Sequence, residues 1–204
     1  MAIRTSSQTE KVSSPGLTVR QRWIGILRIV FGLIWAVAAS LKWRPEFINN
    51  FAAILKGSMD GQPQLVNHWI AFWANIVQIN PTLFAYTLAT IETVLAVCFI
   101  LGVFTNMACV VSILLSFCIW AIPEGFGGPY IPGQTVDIGT ALPYAVLSAI
   151  LLCVAAGQYY GLDRLLASKL GRFAFLASSP LKSANAEQFT VSQAVREREM
   201  ARKF

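Results

Sequence analysis

The chain has 204 residues, of which 55% are hydrophobic and 13% charged, and it carries a net charge of +6. A soluble globular domain averages about 25% charged residues, so this composition excludes a soluble enzyme, and a mean hydropathy of +0.58 points the same way. The basic residues flank apolar runs and form no stripe on a polar face, which excludes nucleic acid as the partner and makes the charges reporters of membrane orientation.

In chain order, residues 1–21 are polar and read as a disordered cytoplasmic tail. The next run is apolar and long and ends at Lys42, Trp43 and Arg44, so it reads as a retained helix and not as a cleavable signal. A helix needs about 20 residues to cross the hydrocarbon of a bilayer, and four stretches qualify: about 23–41, 83–103, 105–122 and 138–157. The first is interrupted by Arg28 and the second by Glu92; the third ends at Pro123. In the fourth, Pro143 falls in the first turns, where a missing N–H costs little.

Between the first two spans, Phe47, Phe51, Ile54 and Leu55 recur at helical spacing, as do Val66, Trp69, Ile70, Trp73, Ile76 and Val77. These predict amphipathic helices in the first external loop, lying in the interface plane or capping the bundle. A fifth span through Trp69 is the rival topology. Residues 167–204 form a basic cytoplasmic tail. The fold expectation is all-α, a four-transmembrane-helix bundle over 22–166. Lys and Arg are concentrated in the two tails, which places both termini on the cytoplasmic side of the plasma (inner) membrane.

Arg28 and Glu92 stand out, because an ionisable group within a bilayer costs several kcal/mol unless it is paired or wet. Gly25, Gly32 and Trp35 share the face of Arg28; Ala85, Ala89 and Ala96 share that of Glu92. Small residues at this spacing mark close helix packing, so both charges are expected to face the bundle interior and to pair. Burial favours an uncharged carboxyl and a nearby guanidinium favours the carboxylate. A carboxyl between these effects is placed to exchange protons. The alternative is an interior hydrogen bond that fixes helix register.

The segment 123–139 holds five glycines and three prolines in seventeen residues, which predicts a turn region. Asp137 reads as an N-cap of the fourth span, and Phe126 and Tyr130 as interface anchors or as residues closing a pocket. Lys42 and Arg44 mark the outer end of the first span or attract an anion there. Cys98, Cys109, Cys118 and Cys153 lie in apolar runs without a C-x-x-C pair and read as small hydrophobes. His68 is the sole histidine. It admits neither a bis-His haem nor a multi-His metal site in one chain, so no haem or metal is expected.

Four segments together resemble the DoxX/DoxD family of small four-helix membrane proteins. They are ILRIVFGLIWAVAASLKW with Arg28, Gly32 and Lys42; IETVLAVCFILGVFTNMA with Glu92, Gly102 and Thr105; EGFGGPYIPGQTVDIG ending at Asp137; and YYGLDRLL with Asp163. The third looks most like the DoxD branch, although Val136 separates Thr135 from Asp137 where relatives often have them adjacent. DoxD is a membrane subunit of thiosulfate:quinone oxidoreductase. The resemblance therefore implies a subunit of a quinone-linked oxidoreductase, with a DoxA-like redox partner that is not fused to this chain.

On that expectation Glu92 relays a proton and Arg28 holds its charge state. Trp35 and Phe99 line the ring site, Lys42 and Arg44 draw an oxyanion, and Tyr130 and Asp137 complete the substrate-binding set. Quinone is the electron acceptor. The sequence has no attachment motif for haem, flavin or an iron–sulfur cluster, so electrons pass through a partner or directly between bound substrates. The alternatives are a non-catalytic anchor recruiting a soluble redox protein, and a small-molecule or proton carrier, which requires a homo-oligomer to widen its path.

Overall fold

The first helix opens on a capping box. The Thr18 hydroxyl accepts the Gln21 N–H at 3.4 Å, and the Gln21 side chain accepts the Thr18 N–H at 2.8 Å, so two orphan donors are satisfied at once. Thr18–Gln21, expected in the N-terminal tail, therefore belong to the helix and its cap. The computed structural model describes residues 18–128, 138–163 and Leu176. The remainder of the N-terminal tail and nearly all of the C-terminal tail lie outside the described residues, as do Tyr130 and Asp137.

Six α-helices and two short 3-10 turns make up the described residues, which contain no strand. They are α1 (Val19–Lys42), α2 (Pro45–Gly57), α3 (Gln64–Val77), α4 (Pro81–Leu101), α5 (Thr105–Ala121) and α6 (Ala141–Cys153), with 3-10 turns at Gly125–Gly127 and Ala156–Gln158. By length and composition α1 (24 residues) and α4 (21 residues) can cross a bilayer; α5 and α6 are apolar but shorter. The α4 helix starts two residues before the expected span, because Pro81 is pre-organised for the first turn and the Asn80 side chain accepts the Leu83 N–H at 3.0 Å. Its end is set by Gly102, whose left-handed φ of 65° closes the C-terminus. The fourth apolar stretch is helical only over Ala141–Cys153, since Gly139 and Ala155 on either side take positive φ.

The α1 and α4 helices pack antiparallel. Gly32 lies against Phe99 and Ile100, where an added Cβ would come within 2.8 Å of the Ile100 backbone nitrogen. Further along, the Trp43 indole N–H donates to Thr93 Oγ1 at 3.0 Å. The small-residue faces expected from sequence are the packed ones: Gly25, Arg28, Phe31, Gly32, Trp35 and Ala39 form the buried stripe of α1, and Ala85, Ala89, Glu92 and Ala96 that of α4. The α5 and α6 helices form the second antiparallel pair, joined by a buried 2.6 Å hydrogen bond between Ser112 Oγ and Ser148 Oγ. Phe31, Trp35, Leu95, Phe99, Cys109 and Leu151 fill the core between the pairs.

The amphipathic α2 and α3 close one end of the bundle. Leu55, Ile70, Ala74 and Val77 form their own cluster against Ile122, and the Trp69 indole donates to the Ala121 carbonyl at 3.0 Å. At the same end Glu124 joins α5 to α6, accepting the Ala141 N–H at 3.1 Å and the Thr140 hydroxyl. Glu124 thus supplies a carboxylate at the N-terminus of α6, favourable there because of the exposed N–H groups.

Candidate functional site: two buried charged centres and a cavity

Arg28 and Glu92 do not pair. They belong to two centres at opposite ends of the α1–α4 pair. In the register set by Gly32 and Ile100, Glu92 lies level with residues 39–40 of α1, twelve residues beyond Arg28. That offset is about 18 Å at 1.5 Å per residue, beyond the combined reach of the two side chains.

Arg28 is fully buried and turns its guanidinium to the segment that follows α6. Its Nη2 donates to the Tyr160 carbonyl at 3.0 Å and to that of Tyr159 at 3.3 Å. Beside it Asp163, also fully buried, accepts the Phe104 N–H at 2.6 Å and the Thr105 N–H at 3.0 Å, and so caps the N-terminus of α5. The Leu162 and Asp163 N–H groups donate to the Leu101 and Gly102 carbonyls. Gly102 provides both the backbone turn and the space, since a Cβ there would overlap the guanidinium. A guanidinium bonded to two carbonyls and a carboxylate bonded to two amides tie α1, α4, α5 and the chain beyond α6 together. The segments that resemble the DoxX/DoxD family include Gly102, Thr105 and Asp163, but the resemblance assigned them no contact.

Glu92 pairs with Lys42. Lys42 Nζ lies 3.5 Å from Glu92 Oε1, with the carboxylate buried and about a quarter of the lysine side chain exposed. Glu92 Oε2 is buried without a hydrogen-bond partner among the described residues. Lys42 Nζ also sits 5.3 Å from the centre of the Phe47 ring, within the range of cation–π attraction. Sequence reasoning placed Lys42 at the boundary of the first span. Its location at the outer end of the same helix hairpin as Glu92 was the available signal.

A cavity of about 450 Å³ opens at this end, with walls from α2, α3, α4 and α5 and from Lys42 at the end of α1. Its lining is overwhelmingly apolar, including Phe47, Phe51, Trp73, Phe84 and Leu115. Among the described residues the charged groups in its wall are Lys42 and Glu124. Glu92 is not part of the lining and contacts Lys42, which is. The amphipathic helices, expected to lie in the interface plane or to cap the bundle, thus form much of the cavity wall.

The other expected site residues are dispersed. Trp35 and Phe99 are buried in the core, each in contact with Phe31 (6.1 and 5.0 Å between ring centres), and Trp35 packs edge-on against Tyr144 at 5.1 Å. Arg44 is exposed at the N-cap of α2 and lines no part of the cavity. Among the described residues no group of three or more His, Cys, Asp or Glu side chains is placed to hold a metal ion. No protein-family model, curated protein or solved structure matches this chain.

Proposed function

We propose that the chain is a four-span membrane subunit of a quinone-linked oxidoreductase and that the quinone occupies the cavity beside Lys42. The spans are α1, α4, α5 and α6, with α2 and α3 at the outer interface and both termini in the cytoplasm. The reading of a membrane protein rests on an inverted surface. Ile26, Val30, Leu33 and Val37 of α1, Val94 and Val97 of α4, and Leu114 and Phe117 of α5 are exposed, whereas Arg28, Glu92, Ser112, Ser116 and Ser148 are buried. An apolar exterior of this extent exceeds what soluble monomers expose, and in lipid the polar groups belong inside. Trp43, Trp69 and Trp120 gather at the α2–α3 end, where aromatic side chains favour the headgroup region.

The observation that carries the quinone reading is an apolar, ring-lined cavity whose wall presents an ammonium held by a buried carboxylate. Phe47, Phe51, Trp73 and Phe84 offer faces and edges to a flat ring, and the Lys42 ammonium has donors left over for a carbonyl oxygen. The volume lies in the range of small-molecule sites. A quinone bound there supplies the two-electron acceptor. The Lys42 ammonium would hold one carbonyl oxygen and give it a proton, replaced from solvent at the exposed part of the lysine, with the second proton also drawn from solvent; the Glu92 carboxylate, 3.5 Å behind, would fix the ammonium in place. Electrons come from thiosulfate through a DoxA-like partner subunit. The test is thiosulfate-dependent quinone reduction by the purified complex. Glu92→Gln is expected to lower kcat by about 10²-fold or more, the usual contribution of a positioned acid–base group. Activity unchanged in that variant excludes Glu92 as the group that holds Lys42 for proton transfer, and no activity in any co-purified complex overturns the oxidoreductase reading.

A further inference from the structure

We infer that the Lys42–Glu92 pair makes the cavity select uncharged ligands over anionic ones, and that Glu92 is the positioning residue that sets this preference. The inference rests on the reading of the cavity as the ligand site and goes beyond it to the class of ligand admitted.

A single exposed lysine in an apolar pocket would ordinarily favour an anion. Here its charge is already answered. Glu92 Oε1 lies 3.5 Å from Lys42 Nζ, and the carboxylate is 1% exposed, so it faces the lysine and not the cavity. Glu124 brings a second carboxylate to the wall. Among the described residues the charged groups around the cavity are therefore one cation and two carboxylates. An anionic head entering this apolar space loses its hydration and finds no uncompensated cation, which is the costly case. A neutral carbonyl loses far less and still accepts a hydrogen bond from Lys42.

The charge-compensated cavity also separates the two substrates of the proposed reaction. A small oxyanion such as thiosulfate is excluded from the place where a neutral ring is bound. Arg44, exposed and outside the lining, stands on the surface beyond it. Donor and acceptor would then meet this chain at different places, and neither would compete for the other's site.

The test uses the full-length chain in lipid nanodiscs. A decyl-substituted benzoquinone is titrated while tryptophan fluorescence is followed, since Trp73 lines the cavity and quinones quench indole. Two competitors of equal chain length are then compared: decanamide, which is neutral, and decyl sulfate, which stays ionised. In the wild type decanamide is expected to displace the quinone at least ten-fold more effectively than decyl sulfate. Glu92→Gln, which keeps the side-chain shape and removes the counter-charge, is expected to strengthen decyl sulfate competition at least ten-fold, whereas Glu92→Asp keeps the wild-type order. A purely structural Glu92 would weaken both competitors alike. Equal or better competition by decyl sulfate in the wild type overturns this inference even if Glu92→Gln fails to fold, and leaves the cavity as a quinone site. An absence of saturable quenching by the quinone in the wild type overturns both readings.

Discussion

The residue that best shows how sequence becomes geometry is Gly102. It ends α4 with a φ of 65° and leaves room for the Arg28 guanidinium to reach the Tyr159 and Tyr160 carbonyls. Either demand alone favours glycine, and here they coincide. Gly102→Ala is expected to destabilise the fold by more than about 1 kcal/mol from the backbone alone, with the guanidinium clash added. Thermal unfolding of the purified protein measures this, and an unchanged midpoint would contradict the geometry. Asp163→Asn tests the neighbouring contact. The amide oxygen can accept one of the Phe104 and Thr105 N–H groups, but its NH₂ opposes the other. A buried donor left unmatched costs about 1–3 kcal/mol, and the same unfolding experiment should register a loss of that size.

At the scale of elements, the α1–α4 contact uses a small residue at one level and a long one at another. Gly32 brings the backbones together, and Trp43 reaches across to Thr93 further along. Gly57, near the end of α2, has no atom within 4 Å of an added Cβ. The two glycines should therefore respond in opposite directions. Gly32→Ala crowds the Ile100 backbone and is expected to cost about 1–3 kcal/mol, as overpacking does. Gly57→Ala in the open last turn of a helix is expected to be neutral or to stabilise by up to about 1 kcal/mol. A stability comparison of the two variants checks the pairing, and equal losses would refute it.

The helices themselves were legible, because apolar runs and 3.6-residue periodicity depend on local sequence. So was the inward orientation of Arg28 and Glu92, since each shares a face with glycines or alanines. Their separation was not legible. Partner choice depends on axial register between α1 and α4, and that register is set by the turn geometry of α2 and α3 and by the Gly32 contact. Both charges therefore read as inward-facing, while nothing local to either shows that Lys42 and the Tyr159–Tyr160 carbonyls reach them first. The capping box at Thr18–Gln21 and the Asn80 cap before Pro81 were visible as T-x-x-Q and N-P and move two helix starts outward by a few residues. The cavity was the least legible feature, because it arises between four helices, and Phe47, Phe51 and Trp73 looked like an ordinary apolar stripe.

For the molecule as a whole, the proposal places charge-poor helical faces in lipid, the Arg28–Asp163 centre toward the cytoplasm and the Lys42–Glu92 centre toward the outside. Cysteines introduced at Ser6 and Ser183 should react with a membrane-impermeant maleimide only after the cytoplasmic side is made accessible. Labelling of either in intact cells would overturn the orientation. The account as a whole depends on the cavity holding a ring, and photo-crosslinking with an azido-quinone in native membranes addresses that most directly. The expected result is label on peptides carrying Phe47, Phe51, Trp73 or Phe84, lost when unlabelled quinone is in excess. Label spread over the exposed faces of α1 and α5 and indifferent to competition would contradict it.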